Sequence, residues 1–403
     1  MSNIVFLSAK RTPFGTFLGK LSSLSANDLG EIAGKAAIEQ AGISGTDIDH
    51  VIFGNVLQTS GDAIYCARHI GLRCGTSIET PAVTVNRLCG SGFESVIQAA
   101  HRIKLGEATM VLAGGAESMS QAPHVVRGSR NGFKLGHGEF TDSLRECLYD
   151  TQAGCEMAIT AENLGEKYGI TRDDADEYGL RSQLAWQTAQ DSGYYAQEIT
   201  PVTISSRRGD MIVDTDEHPQ ASPYNARREK FLSNASGAMA KLRPVFKKDG
   251  TVTAANASGI NDGAAALVMT TEENAASRGL TPIGRLVGYG VAGVDPKIMG
   301  IGPVPAIQNA LRHAGLTLED MDLIEINEAF ATQYLACERE LGINREITNV
   351  NSGGIAIGHP LAATGSRITA HLLHELKRRG GKYGIGSACI GGGQGIAVVV
   401  EAL

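Results

Sequence analysis

The chain has 403 residues, 42% hydrophobic and 20% charged, with a formal net charge of −7. This length and composition fit a globular protein of about two to three domains, each large enough for its own core. The acidic balance excludes a general nucleic-acid or anionic-membrane surface, which would carry a basic face, and the seven cysteines lack the paired spacing of a disulfide framework or a CxxC zinc site.

The first apolar run predicts a strand over 4–8, and no basic stretch leads there into a signal-peptide core. No apolar run reaches membrane-spanning length, so a reducing, cytoplasmic setting is expected. Leu29, Ile32, Ala33 and Ala36 then mark one face of a helix, followed by Ala41-Gly42-Ile43 and by Asp47-Ile48-Asp49 leading into the apolar stretch from Val51 to Phe53. A strand over 82–86 runs into Cys89, which meets Gly90 and Gly92 and opens a helical stretch over 93–104. A thiol there is poised for nucleophilic attack: amides aligned at a helix start favour the thiolate, and small neighbours let a carbonyl come close. A further strand over 110–113 ends on Gly114-Gly115.

Residues 120–251 differ in kind, with more charge and irregular glycine and proline, and read as a lobe inserted over a cleft. Two helices are predicted in it, over 157–168 and 171–191, with Thr171 and Asp174 spaced as a capping box. Basic residues between 207 and 248, Arg227 and Arg228 among them, form either a patch for an anionic ligand or a solvated loop.

The late chain repeats the early one. Ile307, Ala310, Leu311 and Ala314 restore the helical spacing, followed by Gly315-Leu316, Asp320-Met321-Asp322 and Leu323-Ile324. A strand over 347–351, a glycine turn, a helix over 366–379 and a strand over 383–389 then match the order around Cys89. Agreement in register as well as order argues for duplication. Strands alternating with amphipathic helices predict parallel sheets covered by helices. The turns after Val85-Asn86 and Val350-Asn351 would then meet in one cleft at strand ends.

Three motifs stand at predicted strand ends: Asn327-Glu328-Ala329-Phe330, Gly358-His359-Pro360 and Cys389-Ile390-Gly391-Gly392-Gly393. Singly, His359 reads more readily as a satisfied turn histidine and Cys389 as a core residue closing a strand. Together with Cys89 they supply two thiols, an imidazole and several glycine amides, the groups that acyl transfer with carbon-acid chemistry requires. The glycine run lacks the Lys-Ser/Thr of a phosphate loop, and His371, His374 and Glu375 match no zinc-peptidase order and read as a basic solvated face. No metal and no bound cofactor is therefore expected.

With Ala9 to Gly15, Gly114 to Ser120 and Asn256 to Gly259, these motifs resemble the thiolase family over the whole chain, in the family's order. The resemblance implies an α/β fold of two duplicated halves in five αβαβα layers. Residues 1–119 and 252–280 would form the N-terminal half, 120–251 a loop lobe holding coenzyme A, and 281–403 the C-terminal half, in a homodimer or homotetramer. It implies that Cys89 accepts the acyl group, that His359 draws its proton, and that Cys389 is the acid/base at the α-carbon of the second thioester. One oxyanion pocket would use His359 and a water on Asn327, the other the amides of Cys89 and Gly391. Ser258 matches a pantetheine contact. Met157, Phe246, Met299 and Phe330 match positions around the acyl pocket, where bulk favours a short chain.

The implied reaction is the reversible Claisen condensation of two acetyl-CoA to acetoacetyl-CoA and coenzyme A through acetyl-Cys89, the thioesters being substrates. Degradative thiolysis of longer 3-ketoacyl-CoA esters is the alternative within the family. A noncatalytic acyl-CoA or lipid carrier is the alternative of another class, and retention of both cysteines, His359 and Asn327 speaks against it. Decarboxylating ketosynthases pair their cysteine with two histidines, whereas Cys389 takes the third position here. The chain departs from the family's pattern at Glu156, Ala255 and Ala362. Gln220 stands where an arginine on the adenosine phosphates is expected, with Arg227 and Arg228 as substitutes.

Overall fold

The computed structural model describes residues 3–207, 209–217 and 235–403. The principal elements of the first part are β1 (Ile4–Arg11), α1 (Ala26–Gln40), β2 (His50–Gly54), α2 (Cys66–Arg73), β3 (Ala82–Val85), α3 (Ser91–Lys104) and β4 (Met110–Ser118). The middle segment carries α4 (Met157–Tyr168) and α5 (Arg172–Asp191), the latter started by the Thr171/Asp174 capping box. The remainder supplies β5 (Asn261–Thr271), β6 (Gly284–Gly293), α6 (Pro303–Ala314), β7 (Leu323–Ile326), α7 (Ala331–Leu341), α8 (Thr364–Arg379), β8 (Tyr383–Ile390) and β9 (Gln394–Ala402).

The strands join in the order β7-β8-β9-β6-β1-β5-β4-β2-β3, with the two-residue strand Gly15–Thr16 added on β5. β1 links the halves, because Ile4 to Phe6 pair with β6 while the whole strand pairs with β5. Only β2–β3, β2–β4 and β7–β8 are parallel; the other ladders are antiparallel, which corrects the expectation of parallel sheets. Antiparallel neighbours need only a tight turn, and Gly391 to Gly393 provide one between β8 and β9.

Core packing defines the layers. α3 and α8 form the middle one: Phe93, Val96, Ile368 and Leu372 meet Phe6, Ile52 and Leu267 of one half and Ala388, Ile390 and Val398 of the other. On the outer faces, α1 and α2 cover the first half through Leu29, Ala33 and Ile70, and α6 and α7 cover the second through Ile307, Leu311 and Leu335. The result is five layers, αβαβα. Gly92 and Gly365 let the middle helices touch, since a Cβ on either would press on the other helix's backbone.

The duplication persists in the hydrogen-bond register. Val51 faces Leu112 and Phe53 faces Gly114, while Ile324 faces Ile385 and Ile326 faces Ser387, so one shift in numbering carries the first ladder onto the second. The strand expected over 347–351 is absent, however; Arg345–Ile347 is a 3-10 turn and only Thr348 bridges to Ile324. Asn349, at φ 47°, explains the difference: its side chain accepts from Ile326 N and donates to Ile326 O, both at 2.9 Å, in place of ladder bonds.

Nor is His371–Glu375 a solvated face. As the middle layer, α8 has sheet on both sides, leaving His371 5% and Glu375 2% exposed. His371 Nδ1 lies 2.8 Å from Glu198, which also takes Arg11 Nε at 2.7 Å, and Arg11 holds Asp216 at 2.6 Å, so buried ions fasten the middle segment to both halves. Among the described residues no helix is long and apolar enough to cross a membrane.

Candidate active site

After β3 the chain makes a tight turn that carries Cys89. Leu88 adopts φ 47°, its amide bonding Asn86 Oδ1 at 2.9 Å, and Gly90 N bonds Arg87 O at 3.0 Å. Cys89 packs with Met119, Leu144, Leu361, Val56 and Leu57, and Cys147, not singled out from sequence, joins the same cluster. Burial pushes the Cys89 thiol up to about 11, against the amides of Gly391 and of Cys89 itself, which point at the sulfur. The expectation that helix amides would favour a thiolate is corrected. α3 begins only at Ser91, and loss of water outweighs two amides.

His359 follows the short helical turn Gly354–Ile357. Its Nδ1 lies 2.6 Å from Thr364 Oγ1, and that hydroxyl donates to Pro360 O at 3.0 Å. Nδ1 must therefore carry the proton, which leaves Nε2 as the base and as acceptor of Asn327 Nδ2 at 3.3 Å. Burial, helped by the Arg367 charge, lowers His359 to about 3, so the imidazole is neutral. Asn327 is anchored by its own amide to Ser387 O at 2.9 Å, and its buried Oδ1 has no partner among the described residues. Its neighbour Glu328 takes Tyr178 Oη at 2.8 Å, Ser182 Oγ at 2.6 Å and Ile355 N at 3.2 Å, tying α5 to this corner.

Cys389 lies on β8, one residue before its end, fully buried among Met299, Ala329, Met157 and Phe330. Burial first, and the Cys89 sulfur second, push its thiol well above the ordinary value. The two thiols thus sit in each other's field beside the Gly391 amide.

A cavity of about 460 Å³ opens over this group, lined by Met119, Met157, Phe246, Ser258, Phe330, His359 and Leu361. Its walls contact both thiol clusters, through Met119 and Leu361 for Cys89 and through Met157 and Phe330 for Cys389. Ser258 is fixed by its amide on Ala329 O at 2.9 Å. Met299 packs on Cys389 and lies beneath the wall, not in it. Gln220, Arg227 and Arg228 fall outside the described residues. The sequence alone assigned no role to Thr364, five residues after His359, or to Glu117 and Glu328, although both carboxylates stood inside quoted motifs, each beside an alanine. Two protonated thiols, a base with a fixed tautomer and inward-facing amides are suited to covalent acyl transfer and to proton removal at carbon.

Comparison with known proteins agrees. A family model described as Thiolase, N-terminal domain, matches residues 4–273, and one described as Thiolase, C-terminal domain, matches 280–402. The chain is 53% identical to the mitochondrial 3-ketoacyl-CoA thiolase of Homo sapiens, over all of this chain and 98% of that one. It is 46% identical to an acetyl-CoA acetyltransferase of Cupriavidus necator over the full length of both. The crystal structure of the Bacillus anthracis acetyl-CoA acetyltransferase superposes with a TM-score of 0.95 at 45% identity, covering 100% of this chain and 99% of that one.

Proposed function

The chain belongs to the thiolase family, and from that premise we propose that it is an acetyl-CoA C-acetyltransferase, joining two acetyl-CoA into acetoacetyl-CoA and coenzyme A and running the reverse thiolysis with the same groups. Cys89 attacks the thioester carbonyl as its proton passes to His359 Nε2. The departing coenzyme A sulfur takes a proton from Cys389. The Cys389 thiolate then removes the α-proton of the second acetyl-CoA, the enolate attacks acetyl-Cys89, and the released Cys89 sulfur recovers its proton from His359. Two neighbouring thiolates would repel each other, and an acylated Cys89 cannot ionise, so Cys389 becomes a thiolate with no like charge beside it. A water on Asn327 together with His359 would steady one oxyanion, and the amides of Cys89 and Gly391 the other.

The observation that carries this reading is that His359 and wall residues of both thiol clusters, Met119 and Leu361 for Cys89 and Met157 and Phe330 for Cys389, line one cavity. The Met157, Phe246 and Phe330 side chains on the cavity wall support a short acyl chain. A second reading, thiolysis of longer 3-ketoacyl-CoA esters, is favoured by the 53% identity to a protein of that name. Coenzyme A-dependent cleavage rates on four-carbon and longer 3-oxoacyl-CoA esters decide between them; faster turnover of the longer esters establishes the second.

The middle segment would hold coenzyme A, with Ser258 against the pantetheine. A homodimer or homotetramer is supported by β3, which ends the sheet among the described residues and leaves Val83 37% exposed, and light scattering would give the mass. Seven free cysteines suit a reducing compartment, which we read as the cytoplasm.

A further inference from the structure

Glu117, one residue before the end of β4, is fully buried, and every hydrogen bond it makes is with a donor. Oε2 accepts from Val56 N at 3.2 Å and from Ala362 N at 3.1 Å, while Oε1 accepts from Leu57 N at 3.0 Å and Asn55 Nδ2 at 3.3 Å. Burial pushes the Glu117 carboxyl up to about 7 against the amides of Leu57, Ala362 and Val56, and four donors with no acceptor surround its oxygens, the arrangement that suits a carboxylate.

The two loops on Oε2 lead to the two reacting groups. On one side, Val56 O accepts Asn86 Nδ2 at 3.3 Å, and Asn86 Oδ1 holds the amide of Leu88 in the turn that carries Cys89; Val56 and Leu57 also pack against that thiol. On the other side, Ala362 is three residues from His359, in the loop closed by Ala363 N and Thr364 Oγ1 on Pro360 O. The first loop follows β2 in one half, the second precedes α8 in the other, and no strand ladder joins them. The contact is close: a side chain at Gly115 would collide with the Ala362 carbonyl.

We propose that Glu117 is a positioning residue: by gripping the loop behind the thiol turn and the loop bearing the imidazole on one carboxylate, it sets the placement of Cys89 relative to His359. The role in catalysis rests on the acetyltransferase reading; the mechanical link does not. Glutamine at this position would turn an N–H₂ group toward donors and loosen one of the loops. Misplacement of a base by a fraction of an ångström acts on the acylation step and spares coenzyme A ester binding.

The test is a double-mutant cycle in the full chain, with Glu117→Gln in the wild-type and His359→Ala backgrounds. Acylation of Cys89 is followed with acetyl-CoA by intact mass and with 4-nitrophenyl acetate by nitrophenolate release. In the wild-type background the substitution should slow acylation by at least about tenfold, with KM for acetyl-CoA within about twofold. In the His359→Ala background it should slow residual acylation by less than about twofold, since the partner it positions is gone. Glu117→Asp, which keeps the acceptors, should regain part of the rate, and it replaces Glu117→Gln in the cycle if that variant does not fold. Equal slowing in both backgrounds, or none in the wild type, overturns the proposal. Acylation of the wild type by the nitrophenyl ester but not by acetyl-CoA would instead sink the acetyltransferase reading, with the cycle on the ester still deciding the role of Glu117.

Discussion

Asn327 Nδ2 meets His359 Nε2 at 3.3 Å, although α7 lies between them in the chain, while Thr364 fixes the opposite nitrogen of the ring. The base therefore has one tautomer and one direction. Replacing Asn327 by alanine removes the donor beside Nε2 and the support for an oxyanion water. The expected loss in kcat is about a hundredfold to a thousandfold, with KM for acetyl-CoA nearly unchanged. Steady-state kinetics of the purified variant check it, and a change confined to KM would contradict the role.

The ionisation states give a pH prediction. With the Cys89 thiol raised to about 11 and His359 lowered to about 3, both groups are neutral through the working range. Alkylation of resting Cys89 by iodoacetamide should then climb about tenfold per pH unit between about pH 7 and 9, following the thiolate fraction. A plateau across that interval would reveal a preformed thiolate–imidazolium pair.

Phe330 stands where the cavity wall meets the Cys389 cluster. Phe330→Ala should make room for added methylenes and raise kcat/KM for a six-carbon relative to a four-carbon 3-oxoacyl-CoA by about tenfold or more. An unchanged ratio would place the acyl tail elsewhere.

The buried ions predict a stability effect. Burial works against ionised Glu198, yet the charges of His371 and then Arg11 hold its carboxyl well below the usual range. Glu198→Gln leaves Arg11 and His371 with less compensation and should cost about 3–5 kcal/mol in urea unfolding at neutral pH. The sign follows from linkage. A depressed carboxyl contributes in full above its unfolded pKa of about 4.5 and loses that contribution as pH falls from there toward its lowered folded value, so this part of the wild type's advantage should hold from about pH 7 to 5 and shrink only on further acidification. His371, raised by Glu198 against the effect of burial, contributes in the other direction and is lost as pH rises past its elevated value.

Periodic apolar spacing and caps were enough to read α4 over 157–168, the Thr171 capping box and the repeated unit, because those features are local. Strand polarity was not legible, since an antiparallel addition such as β9 depends on which edge the chain returns to. Asn349 hid the missing strand because a side chain that imitates the ladder still reads as an apolar run with an asparagine. The burial of His371 and Glu375 required knowing that α8 is covered on both sides, by two halves distant in sequence. In the site, the thiols, the imidazole and Asn327 could be picked out by motif. Glu117, Glu328 and Thr364 could not, because their roles lie in contacts made across the two halves or within a folded loop.

The most direct test of the central claim is mass spectrometry of the protein quenched after brief mixing with acetyl-CoA. A single acetyl group on the peptide carrying Cys89, absent from a Cys89→Ser variant and retained in Cys389→Ala, is the predicted result. An unmodified Cys89, or acetylation at Cys389 or Cys147 instead, would contradict it.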